Sequence, residues 1–166
     1  HERQITSLRN SRSYFRPAFD RTSAGGVLLF TEDQIAEVNK WSSLSMAGKL
    51  EIQFIPSEPG TFAASMPVDE RTTQPLGLLH GGATAVLAET LGSTGSVLLI
   101  DRSEKAAVGI EVSANHPKGV RSGTVTATGR ILHQGRTTHV WDIRVSNDEG
   151  QLVAVCRMTN LIIDKR

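Results

Sequence analysis

Apolar positions recur at helical spacing in two places along this chain and alternate with polar ones elsewhere. Thr31 followed by Gln34 has the form of a capping box, and Ile35, Val38 and Trp41 then share one helical face. A short helix over Glu32 to Ser43 is predicted. Leu50, Ile52 and Phe54 alternate with Glu51 and Gln53, and after Pro59-Gly60 a second run reaches Val68, which reads as a hairpin over 50–56 and 60–68. Residues 69–79, with Pro75 and Gly77, form a loop. From Ala83 to about Leu99, Leu87, Leu91, Thr94 and Leu98 recur at helical spacing, and Ala85, Ala88, Gly92 and Gly95 make a second, small-residue stripe. Both faces of this helix are expected to be buried. Each interior glycine costs about 1 kcal/mol relative to alanine, so Gly92 and Gly95 imply that another backbone or a sheet approaches closely. Four strand-like runs follow, over 106–114, 123–133, 137–146 and 151–163, with a hairpin turn at Asn147-Asp148-Glu149-Gly150.

The order predicts an α+β fold in which an antiparallel sheet is wrapped around one long central helix. A remaining sheet face or edge would be open to a partner. At 166 residues the chain fits one domain and can bury roughly two thirds of the surface exposed by its unfolded form. With 39% hydrophobic residues and a net charge of +1, neither disorder nor a strongly polyanionic partner is indicated. Arg3, Arg9, Arg12, Arg16 and Arg21, interleaved with Tyr14 and Phe15, raise the question of a nucleic-acid arm. Their spacing is loose and contains no run of like charge, so residues 1–30 are read as a solvated extension or a strap across a partner, preceding a domain over 31–166. No nucleic acid and no membrane partner are expected. A single cysteine, Cys156, precludes an intrachain disulfide and fits a reducing compartment. The longest mostly apolar stretch, 93–100, is far short of a membrane span, and a cytoplasmic location is expected.

Candidate chemistry centres on His80-Gly81-Gly82 at the start of the long helix. Glycines let the backbone come close to a ligand, and the first free N–H groups of a helix can stabilise an oxyanion, with Gly81 the candidate donor. A glycine-rich approach to a helix is also the ordinary form of a tight turn, so the tripeptide alone decides nothing. Glu89 adds weight. A carboxylate between Leu87, Ala88 and Leu91 must reach solvent, pair with a cation, or serve as acid, base or nucleophile. Ser93, one turn on, is placed to hydrogen-bond that carboxylate or an attacking water. Gly81 and Glu89 are eight residues apart, or about 12 Å along a helix axis. If both act on one carbonyl, they must come from two chains, which implies a dimer with sites at its interface. No pair of histidines has metal-ligand spacing, no serine sits in a nucleophile elbow, and no metal is expected. His139, next to Val140 and Trp141, reads as structural, and Cys156 as a buried, inert thiol.

The segment MPVDERTTQPLGLLHGGATAVLAETLGS, Met66 to Ser93, resembles the signature of hotdog-fold acyl-CoA thioesterases of the glutamate-dependent branch. This branch includes 4-hydroxybenzoyl-CoA, 1,4-dihydroxy-2-naphthoyl-CoA and phenylacetate-pathway enzymes. The similarity continues through VGIEVSANH (108–116) and ILHQGRTTHVWDIRV (131–145), and covers roughly 31–163. It implies that Glu89 is nucleophile or general base and that the Gly81 N–H polarises the thioester carbonyl. It also implies that Gln74 and His80 position the thioester and the loop, and that Ser93 fills the Ser/Thr place one turn past the glutamate. Coenzyme A contacts are implied at Gly109, at His116, Pro117, Lys118 and Gly119, and at His133, Gln134, Gly135, Arg136, Thr137 and Thr138. Lys118, Arg121 and Arg136 are of the right chemistry for nucleotide phosphates, and equally of the kind found as solvated turn charges. The loop from His116 to Arg121 varies within the family, and residues 1–30 have no counterpart in it.

The resemblance implies hydrolysis of an acyl-CoA, with an aromatic acyl group favoured, to free acid and coenzyme A without metal or redox cofactor, in a dimer of dimers. Two rivals are a hotdog enoyl-CoA hydratase or dehydratase, whose usual histidine and proline-rich loop is missing, and a non-catalytic acyl-CoA-binding regulatory module. Glu89 and Gln74 argue for catalysis.

Overall fold

The computed structural model describes residues 30–165. Its elements in chain order are α1 (Glu32–Ser42), α2 (Met46–Lys49), β1 (Gln53–Ile55), β2 (Phe62–Pro67), α3 (Gly81–Leu98), β3 (Lys105–Asn115), β4 (Thr124–Gln134), β5 (Thr138–Asn147) and β6 (Leu152–Asp164). The expected N-terminal extension lies outside the described residues except for Phe30, whose ring packs on Phe62 with centroids 4.3 Å apart.

Helix α1 begins as predicted. The Thr31 side chain accepts the Gln34 N–H, and the Gln34 side chain accepts the Thr31 N–H. Its buried residues are Ile35, Val38 and Ser42, so the stripe advances by four after Val38 and Trp41 falls outside it. Trp41 is 59% exposed, against the sequence expectation. The Arg102 guanidinium sits 5.9 Å from its ring centroid.

The first strand is shorter than its alternation predicts. Ser45 caps an unanticipated turn of helix, α2, by accepting the Ala47 N–H at 3.2 Å. The Leu50 N–H closes that turn on the Met46 carbonyl, and the chain then passes through a left-handed conformation at Glu51, φ 53°. Only Gln53–Ile55 remains to pair with β2, although Ile52 and Phe54 are buried as the pattern requires.

All six strands form one antiparallel sheet in the order β1-β2-β4-β5-β6-β3. Helix α3 lies across β2 to β6. Trp141, Ile143 and Val145 on β5, with Cys156 and Met158 on β6, are buried in the same core as Leu87 and Leu91 of the helix. Complete burial of such side chains stabilises by about 1.5–3 kcal/mol each. The close approach implied by the helical glycines is present. A Cβ on Gly92 would lie 2.9 Å from Met158 Cγ, and one on Gly95 2.7 Å from Trp141 Cη2.

Among the described residues, one side of α3 is covered. Leu87, Ala88, Leu91, Gly92 and Gly95 are buried, whereas Ala85 is half-buried and Glu89 is exposed. Thr94 and Leu98 are buried as well, so both expected stripes are buried except at Ala85; the two adjoin as one broad side, and Glu89 lies off it. Among the described residues no helix is long and apolar enough to cross a membrane.

Candidate active site

The start of α3 is built from backbone groups. His80 is the N-cap: its Nδ1 accepts the Gly82 N–H at 2.8 Å, and its carbonyl accepts the N–H groups of Ala83 and Thr84 at 2.9 and 3.2 Å. The His80 N–H donates in turn to the Thr72 carbonyl at 2.8 Å. Among the described residues, the Gly81 N–H is left without an acceptor at the positive end of the helix dipole. The place expected for an oxyanion donor is thus open, and His80 secures it by capping.

A cleft of about 360 Å³ opens beside Gly81, lined by Gln74, Leu78, Leu79, Thr84, His116, Lys118, Gly119 and Val153. The His116 ring lies 3.1 Å from where a Gly81 Cβ would be. The 74–79 loop is fixed to the 116–121 loop by the Leu79 N–H on the Val120 carbonyl (2.7 Å) and by Arg121, which donates to the Leu76 carbonyl (3.0 Å). Arg121 therefore ties loops together. The Gln74 side-chain oxygen accepts the Leu76 N–H, leaving its amide NH₂ without a partner among the described residues. Sequence reading missed Thr84, whose Oγ1 is buried on the cleft wall with no partner among the described residues. Its only signal was a hydroxyl in an alanine-rich turn.

Farther along α3 a second group assembles. Gly109 of β3 lies against Glu89 and Ser93: a Cβ there would stand 3.1 Å from Glu89 Oε1, 3.8 Å from Ser93 Oγ and 2.6 Å from Met158 Cε. Glycine is what allows the carboxylate to lie over the strand. Glu89 has no hydrogen bond or ion pair among the described residues. The Ser93 hydroxyl donates to Asn160 Oδ1 at 3.0 Å and so not to Glu89, one of the two partners its spacing allowed beside an attacking water. Asn160, also missed, occupies a fully buried position between Met158 and Ile162. A polar residue in an apolar alternation was the available signal.

The remaining segment, His133 to Thr138, forms the β4–β5 turn, closed by the Gly135 N–H on the Thr138 carbonyl at 2.9 Å. Thr138 and His139 pair with Leu161 and Asn160 of β6, while Asn160 pairs with Gly109. His139, just past this turn, therefore shares a row with Asn160 and Gly109. The cleft at Gly81 includes none of these residues. His139 is buried as expected, and burial, aided by nearby His133, pushes its pKa below the usual imidazole range. Burial likewise raises the Cys156 thiol to about 11, so it stays protonated at neutral pH.

The sequence-predicted site residues thus fall into two groups on one uninterrupted helix. Gln74, His80, Gly81 and the 116–119 loop gather at its start, and Glu89, Ser93 and Gly109 gather around its middle, while the 133–138 turn stands apart beside Leu161 and Ile162 of β6.

One long helix laid across a six-stranded antiparallel sheet, with a glycine N–H open at its start and a carboxylate two turns on, has the architecture of a hotdog-fold thioesterase. The sequence profile of the Thioesterase superfamily matches residues 76–154. The 1,4-dihydroxy-2-naphthoyl-CoA hydrolase of Escherichia coli is 40% identical over 126 residues, 76% of this chain and 92% of its own length. The proofreading thioesterase EntH of Klebsiella pneumoniae is 41% identical over 129 residues, 78% of this chain and 93% of its own. The crystal structure of a mutant thioesterase PA1618 from Pseudomonas aeruginosa superposes with a TM-score of 0.79 at 46% identity, covering 83% of this chain and 99% of that one. The chain belongs to the Thioesterase superfamily and is a thioester hydrolase.

Proposed function

We propose that this enzyme hydrolyses acyl-CoA thioesters, with aromatic acyl groups preferred, and that each active site is shared between two chains. One observation carries the reading: α3 presents an open N–H at Gly81 and an exposed carboxylate at Glu89, about 12 Å apart along its axis. Gly81 of one chain polarises the thioester carbonyl, and Glu89 of the other attacks the carbon or activates water. The strand beside Glu89 favours such pairing. Among the described residues β3 is an edge strand hydrogen-bonded only to β6, and Val108 and Ile110 expose apolar surface on it. Coenzyme A would be held by Lys118 at the Gly81 cleft and by Arg136 in the β4–β5 turn. The aromatic preference rests on the sequence resemblance and on the names of relatives that act on such thioesters. A cytoplasmic location and assembly as a dimer of dimers complete the proposal.

Thiol release from panels of aroyl-CoA and medium-chain acyl-CoA, measured for wild type and Glu89→Ala, tests this function. Wild type should turn over aroyl-CoA fastest, and the variant should lose at least about 100-fold. Binding without thiol release by wild type would select a regulatory module, and conversion of an enoyl-CoA a hydratase.

A further inference from the structure

We infer that Asn160 is a positioning residue, which turns the Ser93 hydroxyl so that Ser93 presents only lone pairs toward Glu89 and the two together hold the attacking water. This rests on the proposed role of Glu89.

Two groups of fixed hydrogen-bonding sense set the directions. The Gly92 carbonyl can only accept, so the Asn160 atom 3.2 Å from it must be the NH₂ group. That places the Asn160 oxygen at Ser93 Oγ, 3.0 Å away, where it must accept the serine proton. The Trp141 indole can only donate, and it does so to Ser96 Oγ at 2.9 Å, which also receives the second N–H of Asn160 at 3.1 Å. Asn160, Ser96 and Trp141 are all fully buried, so no solvent competes for these bonds. The Asn160 amide cannot flip without setting its oxygen against the Gly92 carbonyl.

Ser93 has thus spent its one proton on Asn160. Across the Gly109 backbone, Ser93 Oγ and Glu89 Oε1 both face as acceptors, 3.8 and 3.1 Å from the position a Cβ would take. Two acceptors are bridged by a donor, and water supplies two protons and a lone pair. The water oxygen bonds to the thioester carbon as Glu89 takes one of its protons. The resulting oxyanion rests on the partner subunit's Gly81 N–H. Collapse breaks the C–S bond, and the proton on Glu89 passes to the departing thiolate, giving acid and thiol.

The test is a double-mutant cycle on kcat with Ser93→Ala, Asn160→Leu and the double variant, alongside Glu89→Ala. Asn160→Ala is a smaller alternative should Asn160→Leu fail to fold, and circular dichroism and assembly size select the folded variants. Each single variant should lower kcat about 10-fold with KM within about twofold of wild type, and the double should be no slower than the slower single. Multiplicative losses, or unchanged kcat in a folded Asn160 variant, would overturn the inference while leaving a dead Glu89→Ala intact. Full activity in Glu89→Ala would instead overturn the underlying role of Glu89. A single turnover in H₂¹⁸O should label the acid, and unlabelled acid would rule out direct attack by water.

Discussion

The two ends of the catalytic stretch of α3 are made in different ways. At its start the proposed functional group is the Gly81 backbone N–H, while His80 accepts the Gly82 N–H and its carbonyl takes the next two. Around its middle the proposed functional group is the Glu89 side chain, one turn from Ser93, where a buried network running from Trp141 through Ser96 and Asn160 ends. The first half-site borders a ready cleft; the second is exposed on the open side of the helix. Neither holds both an electrophile-polarising donor and a base, which is the ground for the proposal that two chains complete each site.

The largest effect should come from the side-chain half. Glu89→Ala is expected to reduce kcat by about 10³-fold. Its thermal stability should stay within about 0.5 kcal/mol, since the carboxylate is exposed and has no partner within the described chain. A circular dichroism melt beside a thiol-release assay checks both. Gly81→Val should damage the backbone half, because a Cβ at that position already stands 3.1 Å from the His116 ring. The comparison is sharpest when the two variants are mixed, unfolded and refolded together. If sites are shared, mixed dimers regain one intact site each, and activity should return to about a quarter of wild type at equal amounts. If one chain held a complete site, the mixture would stay inactive.

How far the sequence disclosed this follows from what each feature depends on. The capping box, the four strand-like runs that form β3 to β6 and the glycines facing Met158 and Trp141 are local or periodic, and they were legible. So was the spacing of Gly81 and Glu89, which helix geometry converts directly to distance. Trp41 was misread because a short helix with three buried positions can advance by three or four residues, and only the packing against β1 decides which. The shortening of β1 turned on a left-handed residue at Glu51, an uncommon conformation for any residue but glycine. Asn160 and Thr84 left only a weak trace in the sequence, because their meaning lies in partners far along the chain, or in the lack of one among the described residues.

A smaller effect separates nucleotide binding from the chemistry of the two halves. Lys118 lines the Gly81 cleft, and Arg136 lies in the β4–β5 turn, toward Asp164 of β6. Replacing either with alanine should raise KM for the CoA ester several-fold with kcat nearly unchanged, and the difference from wild type should shrink as salt rises. The same variants assayed on a thioester lacking the nucleotide, such as an acyl-N-acetylcysteamine, should match wild type. A kcat loss on the truncated substrate would move either residue from nucleotide binding to the support of a half-site.

The smallest effect is a pH dependence confined to the support of the second half-site. His139 is buried opposite Asn160 in the sheet register, and its Nδ1 has no partner among the described residues. Burial and then His133 lower its pKa below the ordinary value of 6.5. Between the folded and unfolded values the unfolded chain binds more protons, so stability rises with pH in that interval. The contribution is present above about pH 6.5 and is lost as pH falls through the folded-state value. Urea midpoints measured from about pH 7 to about pH 5 should decline in wild type. His139→Leu should flatten the part of that slope due to this residue, because leucine cannot take up the proton. An unchanged slope in the variant would remove His139 from the acid sensitivity of the fold and leave the Asn160 network without a titrating neighbour in its row.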